Sequence, residues 1–501
     1  MKLYTAEEMS RADKGAQALG IPGGVLMERA GAGMAQVALQ LYAPRQALVV
    51  AGGGNNGGDG FVVARELHRA GVEVAVLPTK DEYRGDPATN FEILRNLGVR
   101  FVNPDELEAE LGQADLVIDA LLGTGFSGEV REKEARLIEK MNESPTPVLA
   151  VDVPSGVDGA TGEVQGAAVR ADVTVCAHAA KVGCVISPGR EHAGEVITVD
   201  IGIPPEADVE PALVWTDADS LRGRLPRSVE PAHKYSVGAL LVLAGSRRTT
   251  GAPVMVVRAA ERTGCGIVFL ATSESSAPSV DLELTEALVH GVPEDEEGYV
   301  TSEALEQILE LAERTSALAV GPGMGTGDEG RRLVEAILRE VEAPVLLDAD
   351  AVTNLTGTDT LSKRGAPTVI TPHAGELGRL LGAGAKEVSA HRLRSAQSAA
   401  REHGCCVLLK GSDTLIACAQ KIAVNSTGNV ALATAGTGDI LSGVIGALLS
   451  RGMDVYEAAL VGAWAHGRAA ELWLEDTGWP AESLIATDLL DYLPPALGEL
   501  L

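Results

Sequence analysis

The sequence predicts an α/β protein of two domains, each built on a parallel sheet covered by helices. Length is the first reason. At 501 residues the chain exceeds what one hydrophobic core fills, since a typical domain takes roughly 150. The second is rhythm: short apolar runs alternate with longer helical patterns, the βαβ order that implies a parallel sheet. The third is that this rhythm occurs twice. Residues 200–234, rich in proline and without sustained period, interrupt it. The boundary falls at about residue 215, giving domains 1–215 and 216–501.

In the first series a helical pattern comes first. Met27, Gly31, Met34, Ala38 and Leu41 recur at three- and four-residue steps, a stripe expected to pack in the core. Strands follow at 47–51, 72–77, 115–122 and 148–154, with a helix through 61–70 after the first. The second series has strands within 237–245, 317–323, 344–350, 368–373 and 406–411, and closes on a helical region containing 440–450.

Composition narrows the function classes. Apolar residues make up 46% and charged residues 22%, which is globular rather than disordered. Lys plus Arg number 41 and Asp plus Glu 70, so the net charge is 41 − 70 = −29. Such a chain repels phosphate backbones and anionic lipid headgroups. Aromatics at 3% provide no stacking platform for single strands. Nucleic acid and membranes are therefore excluded as expected partners. No apolar run approaches the roughly 20 residues of a membrane helix. The opening MKLYTAEEMSRADKG lacks the apolar core of a signal peptide. Cys176, Cys184, Cys265, Cys405, Cys406 and Cys418 form no C-x-x-C pair and read as buried, reduced thiols. A cytoplasmic location is expected.

Residues 52–60, GGGNNGGDG, stand between a strand and a helix. Gly52-x-Gly54-x-x-Gly57 matches the dinucleotide fingerprint, but the usual acid at the end of the second strand is delayed to Asp81. A nicotinamide dehydrogenase is thus a runner-up. Asn55, Asn56 and Asp59 bring oxygens suited to a hard cation or to ribose hydroxyls, unless the segment is merely a tight turn. Loops 119–131 and 151–163 place Asp119 and Asp152 near strand ends, each followed by a glycine turn. Each aspartate could be a turn former or helix cap. Three such loops after parallel strands converge on one crevice.

In the second series, Gly436-Thr437-Gly438-Asp439 opens directly into an apolar helix, an anion-binding helix start. Asp439 can accept a proton from a substrate hydroxyl that faces a phosphoryl group, or can simply cap the helix. KGSDT (410–414) and NSTGN (425–429) offer lysine, glycine and small polar groups to a nucleotide. No G-x-x-x-x-G-K-[ST] occurs, which excludes a P-loop. GPGMG (321–325), Asp348 and Asp350 in LDADAV, and His373 and Glu376 in TPHAGEL fit a pocket, with His373 either a contact or structural. HKYSVG (233–238) either shapes an entrance or joins linker to strand.

Both halves resemble the bifunctional NAD(P)H-hydrate repair family, an epimerase fused to an ADP-dependent dehydratase. NNGGDG, GTGFSGE (123–129) and VDVPSGVDG (151–159) resemble the epimerase. GPGMG, DADA, TPHAGE, KGSDT and GTGD resemble the dehydratase, a ribokinase-like protein. The resemblance spans essentially the whole chain. It implies an N-terminal Rossmann-like three-layer α/β/α domain and a C-terminal ribokinase-like α/β/α domain. It implies epimerisation of the R and S hydrates at C6, then dehydration of the S form through a phosphorylated intermediate, with release of phosphate and AMP.

In the first half, Asn55, Asn56, Gly57, Gly58, Asp59, Gly123, Thr124, Gly125, Phe126, Ser127, Gly128, Glu129 and Asp152 would contact the hydrated dinucleotide. Asp152 would be its acid–base, and Asn56, Asp119 and Ser155 would hold a potassium ion. In the second half, Ala252, Gly323, His373 and Asp439 would hold the hydrated ring, with Asp439 catalytic. Lys410, Gly411, Ser412, Asp413, Thr414, Asn429, Gly436, Thr437 and Gly438 would bind ADP with magnesium. Ser127 stands where some members carry a lysine, so a role for that lysine does not transfer. A homo-oligomer is also implied. The rival is an ATP-dependent small-alcohol kinase with a non-catalytic N-terminal domain.

Overall fold

The computed structural model describes residues 2–227 and 230–501. The chain divides into two compact units, Met1–Val214 and Trp215–Leu501. No helix among the described residues is long and apolar enough to cross a membrane.

In the first unit the strands lie in the order Arg100–Phe101, Glu73–Pro78, Gln46–Ala51, Leu116–Ala120, Val148–Val151, Val173–Ala177 and Glu195–Val199, each parallel to its neighbour. Every residue of Leu116–Ala120 and Val148–Val151 is buried, as strands covered on both faces must be. Chain order reverses between Gln46–Ala51 and Leu116–Ala120. A crevice opens beyond the strand ends at such a reversal, and here the 52–54 turn, the helix that starts at Asn55 and the 121–131 loop flank it.

The expected stripe lies on helix Gly23–Tyr42, which buries Met27, Gly31, Met34 and Ala38. Leu41 departs from it, being 50% exposed in the last turn. Gly31 is where this helix meets helix Asn55–Arg69: a Cβ there would lie 2.4 Å from the Val62 Cβ. That second helix starts at Asn55, six residues earlier than the 61–70 pattern indicates, with Gly54 as its N-cap. Gly57 permits this start, because a Cβ there would sit 1.9 Å from the Gly52 carbonyl oxygen.

In the second unit, Leu288–Val292, Ile267–Ser273, Ala239–Leu243, Ala317–Val320, Val345–Leu347, Thr368–Ile370 and Cys406–Leu409 are parallel neighbours in that order. An antiparallel hairpin, Leu415–Cys418 and Lys421–Asn425, extends them. Helix Thr437–Ser450 is buried almost throughout and packs on helix Gly251–Arg262. Full burial of Ile440, Val444, Ile445 and Leu448 contributes about 1.5–3 kcal/mol each. HKYSVG forms a one-turn helix, Lys234–Val237, capped by the His233 side chain. All six cysteines are free, and Cys265 and Cys418 are half-buried rather than buried.

Candidate active sites

A cavity of about 910 Å³ opens in the first unit. Asn55, Asn56, Asp59, Gly123, Thr124, Gly125, Phe126, Ser127, Glu129 and Asp152 all line it. Three residues assigned to the ligand from the sequence do not: Gly57 and Gly58 are buried in the helix, and Gly128 forms a turn beside the cavity with φ of 82°. Asn55 to Asp59 therefore approach the cavity from a helix rather than from a loop.

Asp119 and Ser155 are fully buried and bonded to each other. Ser155 Oγ donates to Asp119 Oδ1 at 2.6 Å, and the Ser155 amide donates to Oδ2 at 2.8 Å. The Leu122 amide donates to Ser155 Oγ at 2.7 Å, and Asn56 Nδ2 donates to the Leu122 carbonyl at 2.9 Å. Asn56, Asp119 and Ser155 thus converge around Leu122. Burial pushes the Asp119 carboxyl up to about 6, opposed by the two Ser155 bonds and by the Leu121 amide, which donates to Oδ1 at 3.2 Å.

Asp152 follows its strand with φ of 67°, a left-handed conformation unusual for a side-chain-bearing residue. Its Oδ1 accepts from Lys181 Nζ at 2.6 Å and from the Ala177 amide at 3.0 Å. Lys181 is fully buried and donates also to the carbonyls of Ala177 and Ala179, both at 2.9 Å. A buried ammonium is tolerated only when paired and bonded in this way. Burial opposes its charge, but the Asp152 carboxylate and the Cys176 and Cys184 thiols beside it together offset that and lift Lys181 above its ordinary range. Asp13 lines the same cavity. Burial, then the charge of Asp152, raises both Asp13 and Asp59 above the usual carboxylate range.

Sequence reasoning missed Asp13 and Lys181. Lys181 stands on a two-residue strand, Ala180–Lys181, beside Leu3–Tyr4, outside any motif. Its one signal was a lone charge within the small and apolar run AAKVGCV.

In the second unit, Asp348 follows strand Val345–Leu347 and is almost fully buried. Its Oδ1 accepts from Lys410 Nζ and from Thr371 Oγ1, each at 2.8 Å, and its Oδ2 from Ser442 Oγ at 2.9 Å. One carboxylate thereby ties the loops after three strands to helix Thr437–Ser450. A Cβ on Gly438 would lie 3.5 Å from Lys410 Nζ, so the helix start sits against this pair. Gly436, with φ of 91°, is the N-cap and has no side-chain capping bond. Asp439 is therefore not the cap; it lies in the first turn. Burial, then the charge of Asp348, pushes its carboxyl up to about 6, with Lys410 pulling the other way.

Ala252 and Gly323 are neighbours: a Cβ on Gly323 would lie 2.6 Å from Thr249 Oγ1 and 3.5 Å from the Ala252 Cβ. Asp350 accepts from the Gly325 amide at 2.9 Å. His373 has a structural task, its Nδ1 accepting from the amides of Gly375 and Glu376 at 2.9 and 3.3 Å to cap helix Ala374–Leu380. Asn429 Oδ1 accepts from the Ala431 amide at 2.9 Å. Thr437 Oγ1 donates to the carbonyls of Leu432 and Thr434, so Thr437 offers a ligand its backbone rather than its hydroxyl proton.

Among residues 410–414, Gly411 and Ser412 are exposed, and Thr414 Oγ1 donates to the Gly411 carbonyl. The Asp413 side chain turns away from the loop surface. Its carboxylate is 1% exposed and lies 2.9 Å from Arg392 Nε, so it faces the interior. Arg392 also donates to the Lys410 carbonyl at 3.3 Å, and the pair holds the loop in shape.

Known proteins match both units. A family model described as YjeF-related protein N-terminus matches residues 23–183, and one described as NAD(P)H-hydrate dehydratase matches 240–495. The bifunctional NAD(P)H-hydrate repair enzyme Nnr of Thermofilum pendens is 38% identical over 99% of this chain and 96% of its own length. The Escherichia coli enzyme of the same name is 34% identical over 98% and 93%. Among solved structures, an ADP/ATP-dependent NAD(P)H-hydrate dehydratase from Bacillus subtilis, co-crystallised with ATP and Mg²⁺, is 30% identical. It superposes with a TM-score of 0.50 over 58% of this chain and 99% of its own. With both units matched in one continuous alignment, the chain belongs to the family of bifunctional NAD(P)H-hydrate repair enzymes.

Proposed function

We propose that this chain repairs hydrated NADH and NADPH. The first unit interconverts the R and S hydrates at C6, and the second returns the S form to NAD(P)H at the expense of a nucleotide. The observation that carries this reading is Asp439 in the first turn of an apolar helix whose glycine N-cap leaves the leading amides without a side-chain partner. Such amides bind a phosphoryl group. Hydroxide is a poor leaving group, so the hydrate must first be activated. Asp439 takes the proton of the C6 hydroxyl as its oxygen attacks the terminal phosphoryl of the nucleotide. The 436–438 amides stabilise the charge that develops, an effect worth about 2.7–4 kcal/mol per donor in comparable sites. The N1 lone pair then expels phosphate, and loss of a C5 proton restores the ring double bond. With ADP the products are NAD(P)H, phosphate and AMP.

At the first site C6 is a carbinolamine carbon, so inversion proceeds by ring opening and reclosure, with Asp152 exchanging the hydroxyl proton. Asn56, Asp119 and Ser155 fit a potassium ion, being oxygen-bearing groups gathered around Leu122 with a buried carboxylate at their centre. Bound there, potassium would offset the charge of the dinucleotide phosphates. Among the described residues no three His, Cys, Asp or Glu form a metal cage. Magnesium would enter with the nucleotide, bound to its phosphates. A homo-oligomer in the cytoplasm completes the proposal and is checked by light scattering and fractionation.

The test mixes the protein with hydrated NADH, magnesium and ADP or ATP. Absorbance of the dihydronicotinamide band should rise as free phosphate appears. A stable phosphorylated alcohol with no such rise would instead identify a small-alcohol kinase.

A further inference from the structure

We infer that Asp59 is the second proton carrier of the epimerisation, acting on ring nitrogen N1 while Asp152 acts on the C6 hydroxyl. This rests on the epimerase reading of the first site.

The reaction needs two groups at once. On opening, the C6 hydroxyl gives its proton to a base, and the C6–N1 bond breaks with its electron pair passing to N1. N1 takes a proton from an acid, and C6 becomes an aldehyde carbon. After rotation about C5–C6, N1 attacks the opposite face and returns its proton to the acid. The new alkoxide recovers the first proton from the base. Atoms and charges balance, and no oxidant or cofactor is consumed.

Of the carboxyl groups that line the cavity, Asp13, Asp59 and Asp152 act on one another through their charges, and the fully buried Lys181 is bonded to Asp152. An ammonium has three donors, and those of Lys181 go to Asp152, Ala177 and Ala179, which leaves none for Asp59. Among the described residues, none forms a hydrogen bond to the Asp59 carboxyl, although it lines the cavity. It is therefore open to bond a ligand. Carboxyls that share one site cannot all ionise. Burial, Asp152 and Asp13 raise Asp59 well above the usual carboxylate range, with Lys181 offsetting only part. Asp13 is also raised, but both Lys181 and His178 draw it back. Two carboxyls in contrasting settings are the pattern of an acid with its base.

Other titratable groups face the site. Lys80, Asp86, Glu129, Arg131 and Glu134 line the same cavity. His178 Nε2 is 3.0 Å from Asp208. The Cys176 thiol donates to the Asp152 carbonyl, and Cys184 lies 3.9 Å from the same oxygen.

Epimer exchange is measured by proton NMR without nucleotide, so that the second site stays silent. Asp59→Asn should lower kcat roughly 10²–10⁴-fold and leave KM within about three-fold. The wild-type rate should fall on the alkaline side as the acid loses its proton. Asp59→Asn should abolish that limb, and Asp13→Asn should keep it. Undiminished exchange in Asp59→Asn, or loss of the limb in Asp13→Asn alone, overturns the inference. If thermal melting shows Asp59→Asn unfolded, Asp59→Glu decides: a retained alkaline limb at reduced rate supports the role, and a vanished limb refutes it. Failure of the wild type to exceed spontaneous exchange would overturn the epimerase reading instead.

Discussion

Asp152 in the first unit accepts a direct bond from a buried lysine, Lys181, at 2.6 Å. Asp439 in the second unit feels a lysine through its charge alone: Lys410 donates to Asp348, and no bond joins it to Asp439. The two aspartates thus meet a positive charge in different ways. A direct bond fixes where the Asp152 carboxylate points. A lysine–aspartate pair at one remove leaves Asp439 free to turn to a substrate while its proton affinity is set by opposing charges.

The largest expected effect comes from removing the unbonded base. Asp439→Asn should slow nucleotide-dependent recovery of dihydronicotinamide absorbance roughly 10²–10⁴-fold, with epimer exchange unchanged. Equal loss of both activities would mean that the units are not chemically separate.

A third buried pair sharpens the contrast, since Arg392–Asp413 shapes a loop without facing a ligand. Arg392→Met removes the buried Arg392–Asp413 ion pair and should cost about 3–5 kcal/mol in urea unfolding. Unchanged stability would show that the pair does not hold the loop.

The next effect is on pH. Asp439 must be ionised to act, and its carboxyl stands at about 6, so dehydration should rise with pH through about 6 and fall below it. The negative charge of Asp348 is one cause. Asp348→Asn should therefore favour the ionised form and move this limb to lower pH. Lys410→Met should move it to higher pH. Limbs that stay in place would show that burial alone sets the value.

The smallest effect is on melting. Potassium chloride should raise the thermal midpoint of the wild type by a few degrees, about 1–2 kcal/mol, over an equal concentration of N-methylglucamine chloride. Asp119→Asn should abolish the difference.

Much of the fold could be read from residue order alone. Leu116–Ala120 and Val148–Val151 stand out as apolar runs because a parallel strand is buried on both faces. The start of helix Asn55–Arg69 could not. NNGGDG has poor helix propensity, and packing against Gly31 and the Gly52 turn overrides it. Of the site, Asn55, Asn56, Asp59 and the 123–127 loop were visible as a motif and do line one cavity.

Periodicity and motif spacing are local properties, and local physics was enough to fix the alternating elements, the glycine helix start at 436–439 and the aspartates beyond the strands. Charge partners are not local. Lys181 reaches Asp152 across 29 residues, Lys410 reaches Asp348 across 62, and Arg392 reaches Asp413 across 21. Nothing in the spacing of those residues says which carboxylate receives a buried cation, because strand order and helix packing bring them together. Asp13, Asp59 and Asp152 share a cavity for the same reason. Whether such an aspartate is a cap, a loop brace or a base depends on the dielectric and the charges that folding places around it.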